Sequence, residues 1–140
     1  MSEQHNLAVV QQAYAAFGRG DIPTLLATLD ENIDWDGVYG AGPEVPNSGR
    51  RHGLGEVARF FAEVGKSYAF TTFAPREFLA RGDTVVALGH YACNVIATGN
   101  TFESEWAMVF SFRNGKVVAF REFTDSAGLT RAFTQAAVAV

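Results

Sequence analysis

Near the end of the chain, VVAFREFTDS (residues 117–126) sets Arg121, Glu122 and Asp125 among Phe120, Phe123 and Thr124. Three charges within five residues of a strand-like, otherwise apolar run admit three explanations. They form a solvated sheet face, a salt-bridged interface, or the acid/base equipment of a pocket. Alternation along a strand separates the charges: Phe120, Glu122 and Thr124 share one face, and Arg121, Phe123 and Asp125 share the other. Phe120 belongs in an apolar interior, so Glu122 points inward with it. A carboxylate beside Phe and Trp is costly unless paired or protonated, and desolvation raises its pKa. That environment makes a general acid or base for neutral pH. The plainer explanation is that Glu122 pairs with an arginine or a tyrosine and ties the core together. Arg121 and Asp125 share a face and are expected to bridge each other.

Other residues extend the acid/base reading. Tyr14 lies on the apolar stripe of a first helix, either as a core tyrosine with its hydroxyl at the rim or as a donor to a ligand. Tyr91 is the second hydrogen-bonding candidate. Asp36 precedes a long glycine-rich loop and either caps it or joins the catalysis. Large aromatics both fill cores and line ligand pockets. The expected walls are Phe17, Trp35, Tyr39, Phe60, Cys93, Trp106, Met108, Phe120 and Thr124. His52, in RRHG, is expected at a helix entry, on the surface near the pocket mouth, and His90 on the outer sheet face. Three scattered histidines (one of them His5) and a lone cysteine give no metal-ligand spacing. Neither a Ser-His-Asp arrangement nor a phosphate-cradling glycine loop can be argued, and no cofactor is called for.

The elements that must position these residues follow from periodicity. Residues 6–17 carry Leu7, Val10, Tyr14 and Phe17 at helical spacing, closed by Gly18 and Gly20. Asp21 caps a second helix that buries Ile22, Leu25, Leu26 and Leu29. Residues 32–36 alternate as a short half-buried strand, with Ile33 and Trp35 inward. Residues 37–53 read as a loop, long enough to serve as a lid or binding segment. Residues 53–66 return to helix, burying Val57, Phe60, Phe61 and Val64. Four strands follow, at 68–80, 83–97, 101–113 and 116–125, joined by the turn-like Arg81-Gly82-Asp83, Gly99-Asn100 and Asn114-Gly115. These are hairpin signals of an antiparallel meander. A short helix at 126–133 ends the chain. In residues 101–112, Phe102, Trp106, Met108, Phe110 and Phe112 share the inner face with Ser104. Pairing through the Gly99-Asn100 turn puts Tyr91 and Cys93 inward as well.

Helices first and strands afterwards argue an α+β fold with helices on one face of a curved sheet. At 140 residues, with nearly half of them apolar, the chain fits one domain, 1–140. Net charge is −4 without a basic run, which argues against nucleic acid or an anionic membrane as partner. No apolar run approaches the roughly 20 residues that span a bilayer, and MSEQHN shows no signal peptide. Cys93 has no internal disulfide partner, so a reducing, cytoplasmic setting is expected.

Four segments carry a family resemblance: VVQQAYAAFGRGD (9–21), GPEVPNSGRRHGLGEVARFF (42–61), REFLARGDTVVALGHY (76–91) and TGNTFESEWAMVFSFRNGKVVAFREFTDSAGL (98–129). Together they resemble the SnoaL-like, ketosteroid isomerase-related proteins of the nuclear transport factor 2-like superfamily. The resemblance implies a cone-shaped curved antiparallel sheet, with N-terminal helices on its concave face and an apolar pocket at the open end. It also implies a homodimer formed through the outer sheet face. Ketosteroid isomerases use a tyrosine, an aspartate base and a buried acid. Those positions fall on Ala13, Gly37 and Met108, so that apparatus is absent. Limonene-epoxide hydrolase-like members imply a cavity acid at Glu122. Their Arg and Asp partners fall near Gly89 and Tyr91 and have no counterpart. SnoaL-like cyclases imply a pocket acid for an aldol closure, a role open to Glu122 or Asp125. The expectation is a small cofactor-free enzyme doing isomerisation, cyclisation or hydration on a small apolar molecule. The alternatives are a non-catalytic binding or accessory protein using the same pocket, and a structural dimer whose Glu122 is internally neutralised.

Overall fold

The computed structural model describes residues 2–135; Met1 and residues 136–140, the ends of the expected 1–140 domain, lie outside the described residues. Helix α1 (Glu3–Gly18) starts where the Ser2 side chain accepts the His5 N–H, and α2 (Ile22–Leu26) starts at the expected Asp21 cap. Strand β1 spans Leu29–Gly37, longer than residues 32–36, and takes in Leu29, which the helical periodicity assigns to α2. Then come β2 (Gly49–His52), α3 (Leu54–Ser67), β3 (Tyr68–Arg81), β4 (Thr84–Val95), β5 (Thr101–Arg113), β6 (Lys116–Phe123) and α4 (Ser126–Thr134). No described helix is long and apolar enough to cross a membrane.

The six strands form one curved, unclosed sheet in the order β2-β1-β6-β5-β4-β3. From β3 to β6 it is the expected antiparallel meander. Asn114 and Gly115 both take positive φ, 54° and 78°, as a two-residue hairpin turn of the primed type demands. Two features depart from the sequence expectation. The sheet is mixed, because β1 pairs with β6 in parallel, Trp35 opposite Phe120; turn signals report only neighbours in sequence. The 37–53 segment is also more than a loop, since β2 pairs antiparallel with β1. GRRH has no apolar residue to produce a period. Charge pairs across the strands accompany its pairing: His52 Nδ1 to Asp34 Oδ1 at 2.9 Å and Arg50 Nε to Asp36 Oδ2 at 3.8 Å.

Register shifts at Phe70/Thr72 and Pro75/Glu77 in β3, and at Val118 of β6 opposite Ser111/Phe112, mark bulges, which bend and twist a strand. Pro75 is tolerated because β3 is an edge strand. Helix α1 packs on β3 and β4, α3 on β1, β2 and β3, and α4 on β5, which covers the concave side. Alternation assigns the inner face correctly: Phe102, Trp106, Met108, Phe110 and Phe112 of β5, Tyr91 and Cys93 of β4, and Phe120 and Glu122 of β6 are all buried.

Gly89 shows how tightly this face is packed. A Cβ there would meet the Trp106 ring and lie 2.6 Å from the Ala74 carbonyl oxygen, a backbone atom that cannot move aside cheaply. Gly89→Ala is expected to destabilise the fold by about 1–3 kcal/mol, on the scale of core overpacking, as read from urea unfolding.

Candidate active site

Between sheet and helices lies a cavity of about 90 Å³. At roughly 10–15 Å³ per water it holds about half a dozen water-sized groups, the size of a compact one-ring molecule. Its walls are aromatic: Trp35 stacks on Phe120 at 3.9 Å between centroids, and Phe60 meets Trp35 edge-on at 5.4 Å. Among the described residues no Lys, Arg or His lines it, and Glu122 is the one carboxyl that does.

Three elements hold Glu122. Its β6 register puts it opposite Met108 of β5, both facing inward. From β4, Tyr91 Oη donates to Glu122 Oε2 at 2.8 Å. Just past the end of β1, the Val38 backbone N–H lies close enough to the carboxylate to favour its charged form, and the Tyr39 N–H donates to the Glu122 carbonyl at 2.9 Å. Val38 sits at φ +52°, a region that β-branched residues rarely adopt. Strain of this kind persists where surrounding contacts over-determine it, and it gathers at functional sites.

Burial pushes the Glu122 pKa up; the Tyr91 and Val38 hydrogen bonds oppose that without overcoming it. Glu122 is 6 % exposed and has no counter-cation, so desolvation of the charged form dominates. Burial, then the nearby Glu122, raises the Tyr91, Tyr68 and Tyr14 hydroxyls, which stay protonated as donors. Burial also pushes the Cys93 thiol up to about 11, away from thiolate reactivity.

Of the expected site residues, Glu122, Tyr91, Tyr14, Phe17, Trp35, Phe60, Cys93, Met108 and Phe120 line this one cavity. Tyr14 reaches not Glu122 but the Met108 sulfur, Oη to Sδ at 2.9 Å. Four expected residues do not line it. Asp36 follows the inward Trp35, so alternation turns it to the outer side, where it meets Arg50. Tyr39 lies past the Val38 turn and is 48 % exposed; it packs on Phe123 under the Arg121 guanidinium. Trp106 faces inward, but Tyr14 stacks over it at 5.7 Å, and it fills the space above Gly89. Thr124 buries its hydroxyl near Tyr91, without a partner in hydrogen-bond geometry, behind the lining.

The Arg121–Asp125 bridge is not formed. Asp125 accepts the Gly128 N–H as the N-cap of α4, and Arg121 lies over the Tyr39 and Phe123 rings. His52 pairs with Asp34 in an outer groove, and His90 lies on the outer face between Glu103 and Glu105, at 3.0 and 3.6 Å. The Gly37 position, where a base would stand in a steroid isomerase, is closed by the Phe60 ring. Among the described residues no three His, Cys, Asp or Glu side chains converge as a metal site.

Periodicity missed Val38, Asn47 and Tyr68, all in the lining. Asn47 lies in the 37–53 segment, where no period operates. Tyr68 sits on a helix–strand junction, and the Phe70/Thr72 bulge breaks the β3 alternation between it and Phe73.

The raised Glu122 pKa carries a sign. The folded state holds this proton more tightly than the unfolded chain does. The stability it contributes is therefore complete below the ordinary value of 4.5, and it is lost as pH rises toward the folded pKa. Glu122→Gln removes that slope. Thermal or urea unfolding is expected to show the variant more stable than wild type at pH 8, by on the order of 1 kcal/mol, with the margin narrowing toward pH 4.5. A wild type that gains on the variant as pH rises would contradict the assignment.

Comparison with known proteins agrees with this architecture. The family model for the SnoaL-like domain matches residues 10–120. No curated protein matches the chain. Among solved structures, an NTF2-like protein from Burkholderia xenovorans shares 31 % identity over 96 % of this chain and 99 % of that one, with a TM-score of 0.85. TerC, co-crystallised with polyporic acid, shares 23 % over 92 % and 98 %, at TM-score 0.81. A Xanthomonas campestris structure provisionally named a polyketide cyclase shares 21 % over 95 % and 100 %, at TM-score 0.76. At those identities the last two carry the fold alone. With the domain model matched from the first helix to the last strand, the chain belongs to the SnoaL-like domain family and has the NTF2-like fold.

Proposed function

We propose that this chain is a small cofactor-free enzyme that performs acid/base chemistry on an apolar small molecule held in the cavity. The single observation that carries the reading is Glu122, a carboxyl buried in an aromatic cavity without a cation and held by Tyr91 and Val38. A carboxyl whose burial favours the protonated form can donate a hydrogen bond or a proton to a ligand carbonyl as charge develops on its oxygen. The carboxylate left behind can take a proton from carbon and return it elsewhere, which is the proton bookkeeping of an isomerisation or an aldol closure. The same carboxylate can activate a water for hydration. Fold relatives provisionally named for polyketide cyclisation or co-crystallised with polyporic acid support a small organic ligand.

In this reading Tyr91 positions Glu122. Tyr14, whose hydroxyl is occupied by the Met108 sulfur, is a wall rather than a proton donor. Asp125 takes no part, because it caps α4. The protein works in the cytoplasm as a homodimer joined through the outer sheet face. There Val86, Leu88, Ala107, Val109 and Ala119 make a half-buried apolar patch, with Val86 opposite Val109 and Leu88 opposite Ala107.

Turnover of a screened carbonyl substrate is expected to fall by 10²–10⁴-fold in Glu122→Gln, the usual worth of a general acid or base, while ligand affinity persists. Wild-type activity that depends on protonated Glu122 is lost as pH rises through its folded pKa. Asp125→Ala serves as a control: it costs about 0.5–2 kcal/mol of stability through the lost cap and leaves turnover intact. A Gln variant that binds and turns over like wild type would leave a binding protein as the remaining reading. For the assembly, Val109→Glu is expected to halve the mass seen by sedimentation, and an unchanged monomeric wild type would refute the dimer.

A further inference from the structure

The acid/base reading uses one polar pair of the cavity and leaves a second without a role. Tyr68 Oη donates to Asn47 Oδ1 at 2.6 Å. Both residues line the cavity, and Asn47 is 4 % exposed. Packing does not explain the pair, since a Phe and a Leu would fill the same wall without bringing an amide into it. The Asn47 amide has two Nδ2 protons, and its oxygen is already engaged by Tyr68. No described residue accepts those protons. The case differs from Asn6, whose amide atoms are buried without partners away from the cavity. At Asn47 the amide borders open space shared with Glu122.

We propose that the ligand is a compact neutral ring carrying two oxygen acceptors, one engaged by Glu122 and the other by Asn47 Nδ2. Asn47 is then a specificity-determining residue, and Tyr68 positions it by holding its oxygen. A ring with one carbonyl satisfies Glu122 and leaves the Asn47 donors desolvated and unmatched, and sites built this way discriminate against the analogue that lacks the group. Without Lys, Arg or His in the lining, the second function is a carbonyl or hydroxyl oxygen and not a carboxylate. The cavity volume of about 90 Å³ suits a single ring. This inference rests on the reading of the cavity as the ligand site, and the test separates the two.

The probes are cyclohexanone and 1,4-cyclohexanedione, titrated into the full-length protein and followed by amide resonances. Apolar burial alone ranks cyclohexanone first, because the dione must desolvate a second carbonyl. The expected result is the reverse, with the dione bound about tenfold more tightly. Asn47→Leu, close in volume, is expected to abolish that preference, with cyclohexanone binding more tightly once no amide donor is left unmatched. Tyr68→Phe, which frees the amide, is expected to reduce the preference at least threefold and keeps the proposal testable if the leucine variant fails to fold. Cyclohexanone binding as tightly as the dione in wild type, or a dione preference that survives in either variant, would overturn the two-oxygen ligand and leave the acid/base site standing. If neither probe shifts a cavity resonance, the ligand cavity itself falls, and this inference with it.

Discussion

The structure depends on a carboxyl placed where a carboxylate is unwelcome. Glu122 is surrounded by Trp35, Phe60, Phe110 and Phe120, and none of the lining residues can supply a positive charge. Its two donors, Tyr91 Oη and the Val38 N–H, come from β4 and from the end of β1, so both must be in place for the group to sit there. The Tyr39 N–H to Glu122 carbonyl bond fixes the same segment from the backbone side. The unusual φ at Val38 falls between these two bonds. Relaxing it would disturb both.

Space around that carboxyl is set by substitutions of size rather than of charge. Gly89 lets the Trp106 ring lie flat over β4, and Tyr14 covers Trp106 in turn, so the inner face is sealed on that side. Gly37 gives way to Phe60 on the other. The space beside Gly37 and Gly89 thus holds aromatic volume. Among the described residues, the polar side-chain pairs of the lining are Tyr91–Glu122, Tyr68–Asn47 and Tyr14–Met108.

Much of this was legible in the sequence because strand alternation is a strong rule wherever one face is buried. Phe120, Glu122, Tyr91, Cys93 and Met108 were all assigned inward by parity, and all are. The same rule, applied to Trp35, would have excluded Asp36 from the cavity, since two adjacent residues of a strand cannot both face it. Tyr39 and Thr124 were beyond its reach, because both lie just past a strand end, where parity stops. Asp125 was open in sequence to a pocket acid or to a bridge with Arg121, and the structure gives it instead to the cap of α4. The β1–β6 pairing, β2, Asn47 and Val38 depend on contacts between distant segments, which no local period encodes. The family resemblance supplied the curved sheet with helices on its concave face, but neither the parallel seam nor β2.

The parallel pairing of β1 with β6 has a consequence for how the cavity comes into being. Every other long-strand contact in the sheet joins neighbours in sequence, and those hairpins can close as they emerge. The β1–β6 seam instead closes a loop that spans most of the chain, the kind of contact whose entropic cost is met late. Until β6 docks, Trp35 has no Phe120 to stack on, and Glu122 stays in water as an ordinary carboxylate. The burial that raises the Glu122 pKa therefore requires the same seam that joins the two ends of the chain in the sheet.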